Sequence, residues 1–136
     1  MKTREFSIST DHEGMYNITA RLREVIRESG VQSGLAVVYC PHTTAGITIN
    51  ENADPDVRSD MASVLDRLIR EREPYYAHTL EGDDDMPAHA KSTLAGVSLT
   101  IPITAGRLNL GLWQGVYLCE FRNHGGARRI VATVVG

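Results

Sequence analysis

Trp113-Gln114-Gly115-Val116-Tyr117-Leu118-Cys119-Glu120-Phe121-Arg122 is the stretch on which the fold turns. A period of two sends Gln114, Val116, Leu118, Glu120 and Arg122 to one face, and Gly115, Tyr117, Cys119 and Phe121 to the other. Both faces are apolar in the middle, which is the pattern of a central strand covered on two sides. Three more strands are predicted around it, over Ser98–Thr104, Arg107–Leu112 and Arg128–Val135, with turns at Thr104-Ala105-Gly106 and Asn123-His124-Gly125-Gly126. Upstream, residues 3–9 alternate as a first strand, and Asp11-His12-Glu13-Gly14 reads as a turn. Leu35–Cys40 reads as a buried strand, which the Thr43-Thr44-Ala45-Gly46 turn joins to Ile47–Asn50 as a hairpin.

Helices fill the intervals. Ile18, Leu22, Val25 and Ile26 recur at helical spacing and end at Gly30. Asp54-Pro55 is an N-cap followed by proline at the first helical position, and Val57, Met61, Val64, Leu65 and Leu68 supply an apolar stripe. Arg70 to Asp85 is polar and without period, and a loop that long in a small domain is usually functional. Asp85 as cap and Pro87 then open a short helix reaching about Gly96. The expectation is one α+β domain over residues 1–136: a largely antiparallel β-sheet or sandwich of six or seven strands, covered by two or three helices.

The whole-chain quantities narrow the function classes. With 136 residues there is room for one ordinary domain. A net charge of −3 disfavours a duplex nucleic-acid partner, and no apolar run approaches the ~20 residues that span a bilayer. The first residues lack a signal peptide's apolar core, so the expected compartment is the cytoplasm. Cys40 and Cys119, in apolar stretches, read as buried thiols. The charge is unevenly placed: residues 51–85 carry eleven acids against four bases, and residues 86–136 carry five bases against one acid. Such polarity suits either a site that pairs a cation with an anionic ligand or simply well-solvated surfaces.

Of five histidines, His42 ends a buried strand, His78 lies in the long loop and His89 in the first turns of the short helix. Three neutral imidazoles brought together would suit Zn²⁺ or a similar divalent ion, with a position left for water or substrate. Their spacing matches no compact ligand motif, so dispersed surface histidines are the alternative. Glu51, at a strand end, is a candidate general base or a partner fixing the His42 tautomer; capping the next turn is its structural alternative. The run Glu81-Gly82-Asp83-Asp84-Asp85 lacks the spacing of a calcium loop and reads as a solvated loop with one cap, a metal role for one Asp being the alternative. Glu120 and Arg122 either pair with each other or serve a ligand. In the second case Arg122, Lys91 and Ser92 would hold a phosphate, with Thr43 and Thr44 adding hydroxyls.

Three blocks, met in order, resemble the YjbQ family. They are Pro41-His42-Thr43-Thr44-Ala45-Gly46-Ile47-Thr48-Ile49-Asn50-Glu51-Asn52, then Tyr76-Ala77-His78 leading to His89-Ala90-Lys91-Ser92, and finally Gly111 to Arg122. The resemblance covers nearly the whole chain. It implies a compact α+β sandwich-like domain that assembles as a homotrimer, a metal held by His42, His78 and His89, and motif roles for Glu51, Lys91, Ser92, Trp113, Gln114, Glu120 and Arg122. It also implies a secondary thiamine-phosphate synthase activity, in which a pyrimidine pyrophosphate is coupled to a thiazole phosphate. There the metal, Lys91 and Arg122 would neutralise the leaving pyrophosphate and Trp113 would stabilise the pyrimidine methylene cation. Glu51 and Glu120 are then the candidate catalytic carboxylates. Two other readings stay open: a metal-dependent hydrolase with Glu51 as base, and a non-catalytic trimer that binds an anion or metabolite.

Overall fold

In the computed structural model, which describes residues 1–136, eight strands and three helices alternate along the chain. The order is β1 (Lys2–Thr10), β2 (Gly14–Asn17), α1 (Thr19–Ser29), β3 (Ser33–Tyr39), β4 (Ala45–Glu51), α2 (Pro55–Leu68), α3 (Asp85–Ala95), β5 (Ser98–Thr104), β6 (Arg107–Leu108), β7 (Gln114–Glu120) and β8 (Gly126–Val135). All pairings are antiparallel and they form two sheets, β1-β8-β3-β5-β6 and β2-β7-β4. The expected α+β sandwich forms, with three helices where two or three were expected and eight strands where six or seven were. No helix is long and apolar enough to cross a membrane.

The core lies where the inner faces of the sheets meet α1. Ile18 and Leu22 of α1 pack with Val38, Ile101, Ile130 and Ala132 of the larger sheet and with Ala45, Ile47, Val116 and Leu118 of the smaller one. Strand β7 is the centre of the smaller sheet, and every residue from Gly115 to Glu120 is buried. Its outer face, through Cys119 and Phe121, packs on Ala88 of α3, with Leu65 of α2 alongside. The three-stranded sheet thus has the core on one side and two helices on the other, which is why β7 reads as apolar on both faces.

Three local expectations need correction. β3 and β4 do not form a hairpin: they belong to different sheets. Cys40 N–H donates to Val97 O and Pro41 has no N–H, so the β3 ladder ends there and the chain crosses to the second layer. Residues 14–17, placed in or after a turn, form β2 on the β7 edge. The expected strand over Arg107–Leu112 stops at Leu108, because Gly111 N–H turns to the Gln114 side-chain oxygen at 2.8 Å.

Helix α2 begins as its sequence dictates, with Asp54 Oδ1 accepting the Asp56 N–H at 2.9 Å and Pro55 following the cap. None of its residues is buried, despite the apolar stripe, and Leu68 is 67% exposed.

The packing sets an order of sensitivities. Leu118→Ala should destabilise the chain by roughly 2–5 kcal/mol through cavity formation, and Asp54→Ala by about 1 kcal/mol through the lost cap. Urea midpoints at a common m-value check both, and equal losses would contradict the placement of the core.

Candidate metal and anion site

The long loop and the start of α3 build one compact donor group. Asp85 is the first residue of α3, and His89 lies four residues on, so both point from the same helical face. The loop carries His78 alongside. Asp85 Oδ2 accepts from His78 Nε2 at 2.6 Å and from His89 Nε2 at 3.1 Å, and the two imidazoles meet edge to face at 5.2 Å. The ligand atoms of His78, Asp85 and His89 all lie within 4.8 Å of one another. Two imidazole nitrogens and one carboxylate oxygen make a donor set that fits a divalent ion of borderline character such as Zn²⁺.

Arg122 holds this group in place. Its guanidinium donates to Asp85 Oδ1 at 2.5 Å, to Asp84 Oδ2 at 2.9 Å and to the Glu81 carbonyl at 2.9 Å. Asn123 N–H also donates to Asp84 Oδ2 at 2.9 Å. Burial pushes the Asp84 carboxyl up, but the Asn123 N–H and the Arg122 guanidinium outweigh it and hold the pKa below the usual value. The expected cap is therefore corrected. Asp84 occupies the cap position without capping, its carboxylate being spent on Arg122, and Asp85 is released for the histidines.

The expected trio of His42, His78 and His89 is not the group that comes together. His42 lines the same surface depression as His89, with Cys40, Thr43 and Ser92, but Asp85 takes the third place in the cluster. His42 Nε2 lies 2.9 Å from Arg129 O, so Nε2 carries the proton and Nδ1 keeps the lone pair. Burial, aided by nearby Arg128 and Arg129, lowers the His42 pKa and favours the neutral ring. Cys40 and Cys119 are free buried thiols, pushed up to about 11 and about 12, first by desolvation.

Four of the expected anion-binding residues, Thr44, Lys91, Ser92 and Arg122, are already engaged. Lys91 Nζ lies 2.6 Å from Asp66 and 3.6 Å from Glu13, and Ser92 Oγ donates to Ala45 O at 2.6 Å. Thr44 Oγ1 accepts from Arg128 at 2.8 Å. Glu120 pairs with Arg128, not through the Arg122 side chain: Nε and a terminal nitrogen of Arg128 reach its two oxygens at 2.7 and 2.6 Å, and Thr10 Oγ1 adds a third contact. Only the backbone N–H of Arg122 joins, at 3.1 Å. The fit around this pair is close, for a Cβ added at Gly125 would stand 1.5 Å from Glu120 Oε1 and 2.6 Å from Thr10 Oγ1.

Glu51, Trp113 and Gln114 gather elsewhere. Ala45 pairs with Glu120 and Glu51 with Gln114, so the six residue steps from Ala45 to Glu51 along β4 span about 20 Å. At that far end Glu51 Oε2 accepts the Asp54 N–H at 3.3 Å and Asn52 N–H reaches Trp113 O at 2.9 Å, while Trp113 is 60% exposed. Within one chain the predicted site is thus two half-sites. Arg128 is the participant outside the expected set, and Asp85, expected as a helix cap, joins the histidines instead. The Asp85-to-His89 spacing was a usable signal for Asp85, whereas Arg128 reaches Glu120 through packing between strands of different sheets.

Burial opposes ionisation of Glu120, yet the hydrogen bonds from Arg128 and Thr10 outweigh it and keep its pKa depressed. The pair's contribution is therefore complete above the ordinary carboxyl value of about 4.3 and is lost as pH falls through the lower folded value. Glu120→Gln should cost about 3–5 kcal/mol at pH 7 by leaving Arg128 unpaired. In urea titrations from pH 7 to pH 3 the gap to the parent protein should narrow; a constant gap would show that the carboxylate charge is not what matters.

Comparison with known proteins identifies the family. The family model described as UPF0047 protein YjbQ-like matches residues 4–136. The chain is 43% identical over 136 residues to the UPF0047 protein YjbQ of Salmonella typhimurium, covering 98% of this chain and 96% of that one. It is 48% identical over 118 residues to a UPF0047 protein of Methanocaldococcus jannaschii, covering 86% and 83%. Among solved structures, a YjbQ/UPF0047 family protein of Clostridium acetobutylicum is similar at a TM-score of 0.90 and 43% identity, over 97% of this chain and 99% of that one. A protein of Aeropyrum pernix K1 is similar at 0.91 and 31%, over 100% and 99%. With the match running from residue 4 to the last residue, the chain belongs to the UPF0047/YjbQ family.

Proposed function

We propose that the chain is a cytoplasmic, divalent-metal-dependent enzyme acting on a small phosphorylated substrate. The observation that carries this reading is the convergence of His78, His89 and Asp85 within 4.8 Å, with Arg122 fixing the carboxylate. A bound Zn²⁺ or similar ion would supply charge neutralisation for a phosphoryl group there. Arg122 does not itself meet the substrate in this proposal; its work is to orient Asp85 and anchor the loop. His42, neutral and with Nδ1 free, faces the same depression together with the Thr43 hydroxyl. Both are suited to receive the substrate beside the metal.

The candidate reaction, drawn from the family resemblance, is formation of thiamine phosphate. A pyrimidine methylene–oxygen bond breaks with release of pyrophosphate, and a carbon–nitrogen bond to the thiazole phosphate forms. Trp113 is the aromatic face available for the methylene cation, and its exposure leaves it free to act. Its distance from the histidines fits a homotrimer in which the Trp113 end of one copy completes the histidine end of another. The exposure of Val64 and Leu68 on α2 and the absence of buried residues there are consistent with assembly. Hydrolysis with Glu51 as base has less support, because that carboxylate is tied to the Asp54 N–H at the far end of β4.

Elemental analysis of purified protein should find about one divalent ion per chain, and His78→Ala, His89→Ala or Asp85→Ala should each remove it. Metal-free protein that forms thiamine phosphate at an undiminished rate would sink the proposal. Trp113→Ala should keep its metal and lose about tenfold in kcat/KM, the rate equivalent of ~1.4 kcal/mol of cation–π stabilisation. Mixed trimers of Trp113→Ala and His89→Ala chains should exceed the activity of trimers of either variant alone; no gain would place the site within one chain.

A further inference from the structure

A second recess lies on the opposite side of α3 from the histidines. Helical residues turn by ~100° each, so Lys91 points about 200° away from His89. It faces a cavity of about 260 Å³ between α2, α3 and the three-stranded sheet, walled by Met15, Met61, Leu65, Leu94 and Phe121. The walls are mostly soft, unbranched or aromatic side chains that adapt to a guest.

The polar end of this cavity is unusual in how its charge is balanced. Lys91 is 5% exposed, yet its 2.6 Å partner, Asp66, has a side chain 64% exposed. Asp66 reaches in from α2, none of whose residues is buried. The other carboxylate, Glu13, stands 3.6 Å from the ammonium. A buried cation is therefore satisfied by a carboxylate that borders solvent and rides on a lightly held helix. A carboxylate bearing an apolar tail can replace it, leaving Asp66 to water and covering the apolar walls.

We propose that this cavity binds a small apolar monocarboxylate, with its carboxylate on Lys91 and its hydrocarbon among Met15, Met61, Leu65 and Phe121. The volume is slightly below the ~300–1,000 Å³ of drug-sized sites, which sets the guest at the size of octanoate or phenylacetate. Lys91 at the cavity's end and Arg58 at its wall offset the carboxylates of Glu13 and Asp66, and a guest carboxylate that displaces Asp66 keeps the buried ammonium paired. Glu120 also lines the cavity, but its side chain is fully buried and paired with Arg128. The site is independent of the histidine cluster and of any metal there.

Titration calorimetry with octanoate and with 1-octanol, both in the presence of EDTA, separates this site from the metal reading. The parent protein should bind octanoate at least tenfold more tightly than octanol. Asp66→Ala, which frees the ammonium, should tighten octanoate several-fold. Lys91→Met should remove the preference for octanoate while keeping octanol binding, and Leu65→Trp should fill the cavity and abolish both without altering the circular dichroism spectrum. Failure of octanoate to saturate both the parent protein and Asp66→Ala would overturn the proposal, as would weaker octanoate binding to Asp66→Ala.

Discussion

Strand β7 has no solvent face, and the molecule is organised around that constraint. A fully buried strand can carry charge only where each charge finds a partner at once. Glu120, its last residue, is held between Arg128 and Thr10, and this fixes the end of the strand against β8 and β1. Two residues on, the chain has reached the surface, and Arg122 is free to turn its guanidinium outward onto Asp84 and Asp85. The donor cluster on α3 is therefore registered to the core through two residues of backbone. A shift at the end of β7 would be felt directly at His78 and His89.

The uneven charge along the chain has the same origin. The acids of residues 51–85 do not merely coat a helix: Asp66 meets Lys91, and Asp84 and Asp85 meet Arg122. Bases from the C-terminal third thus bind α2 and the long loop back onto the smaller sheet. The large core cluster is built of apolar side chains, whereas these outer elements are held by ion pairs as well as by Ala88 and Leu65 against Cys119 and Phe121. Their attachment is accordingly more sensitive to salt and pH than the sandwich beneath.

Much of this was legible in the sequence. Period-two alternation located β1 and β7, turn signals bounded β5 and β8, and Asp54-Pro55 marked the start of α2. What failed was pairing, since alternation gives the faces of a strand but not its sheet; β3 and β4 separated for that reason. The four-residue β2 was too short to carry a period. At the site, residue types were more informative than roles. His78 and His89 were singled out and do converge. Asp85 was misread because an acid before a helix is ordinarily a cap, and Arg122 altered that by engaging Asp84. Glu51, Trp113 and Gln114 belong to the same motifs but lie a strand's length away, which a linear reading cannot measure.

Gly125 shows how tightly such a network constrains its own history. With the Glu120 carboxylate and the Thr10 hydroxyl pressed against its Cα, the smallest side chain at position 125 would occupy space that the ion pair already fills. Alanine or serine there demands a compensating change at residue 120, and a shorter acid at 120 would in turn forfeit the paired contact with Arg128. Neither step is tolerable alone. Lineages that carry this buried pair are thereby locked to a glycine in the loop, and should exchange the two positions only together.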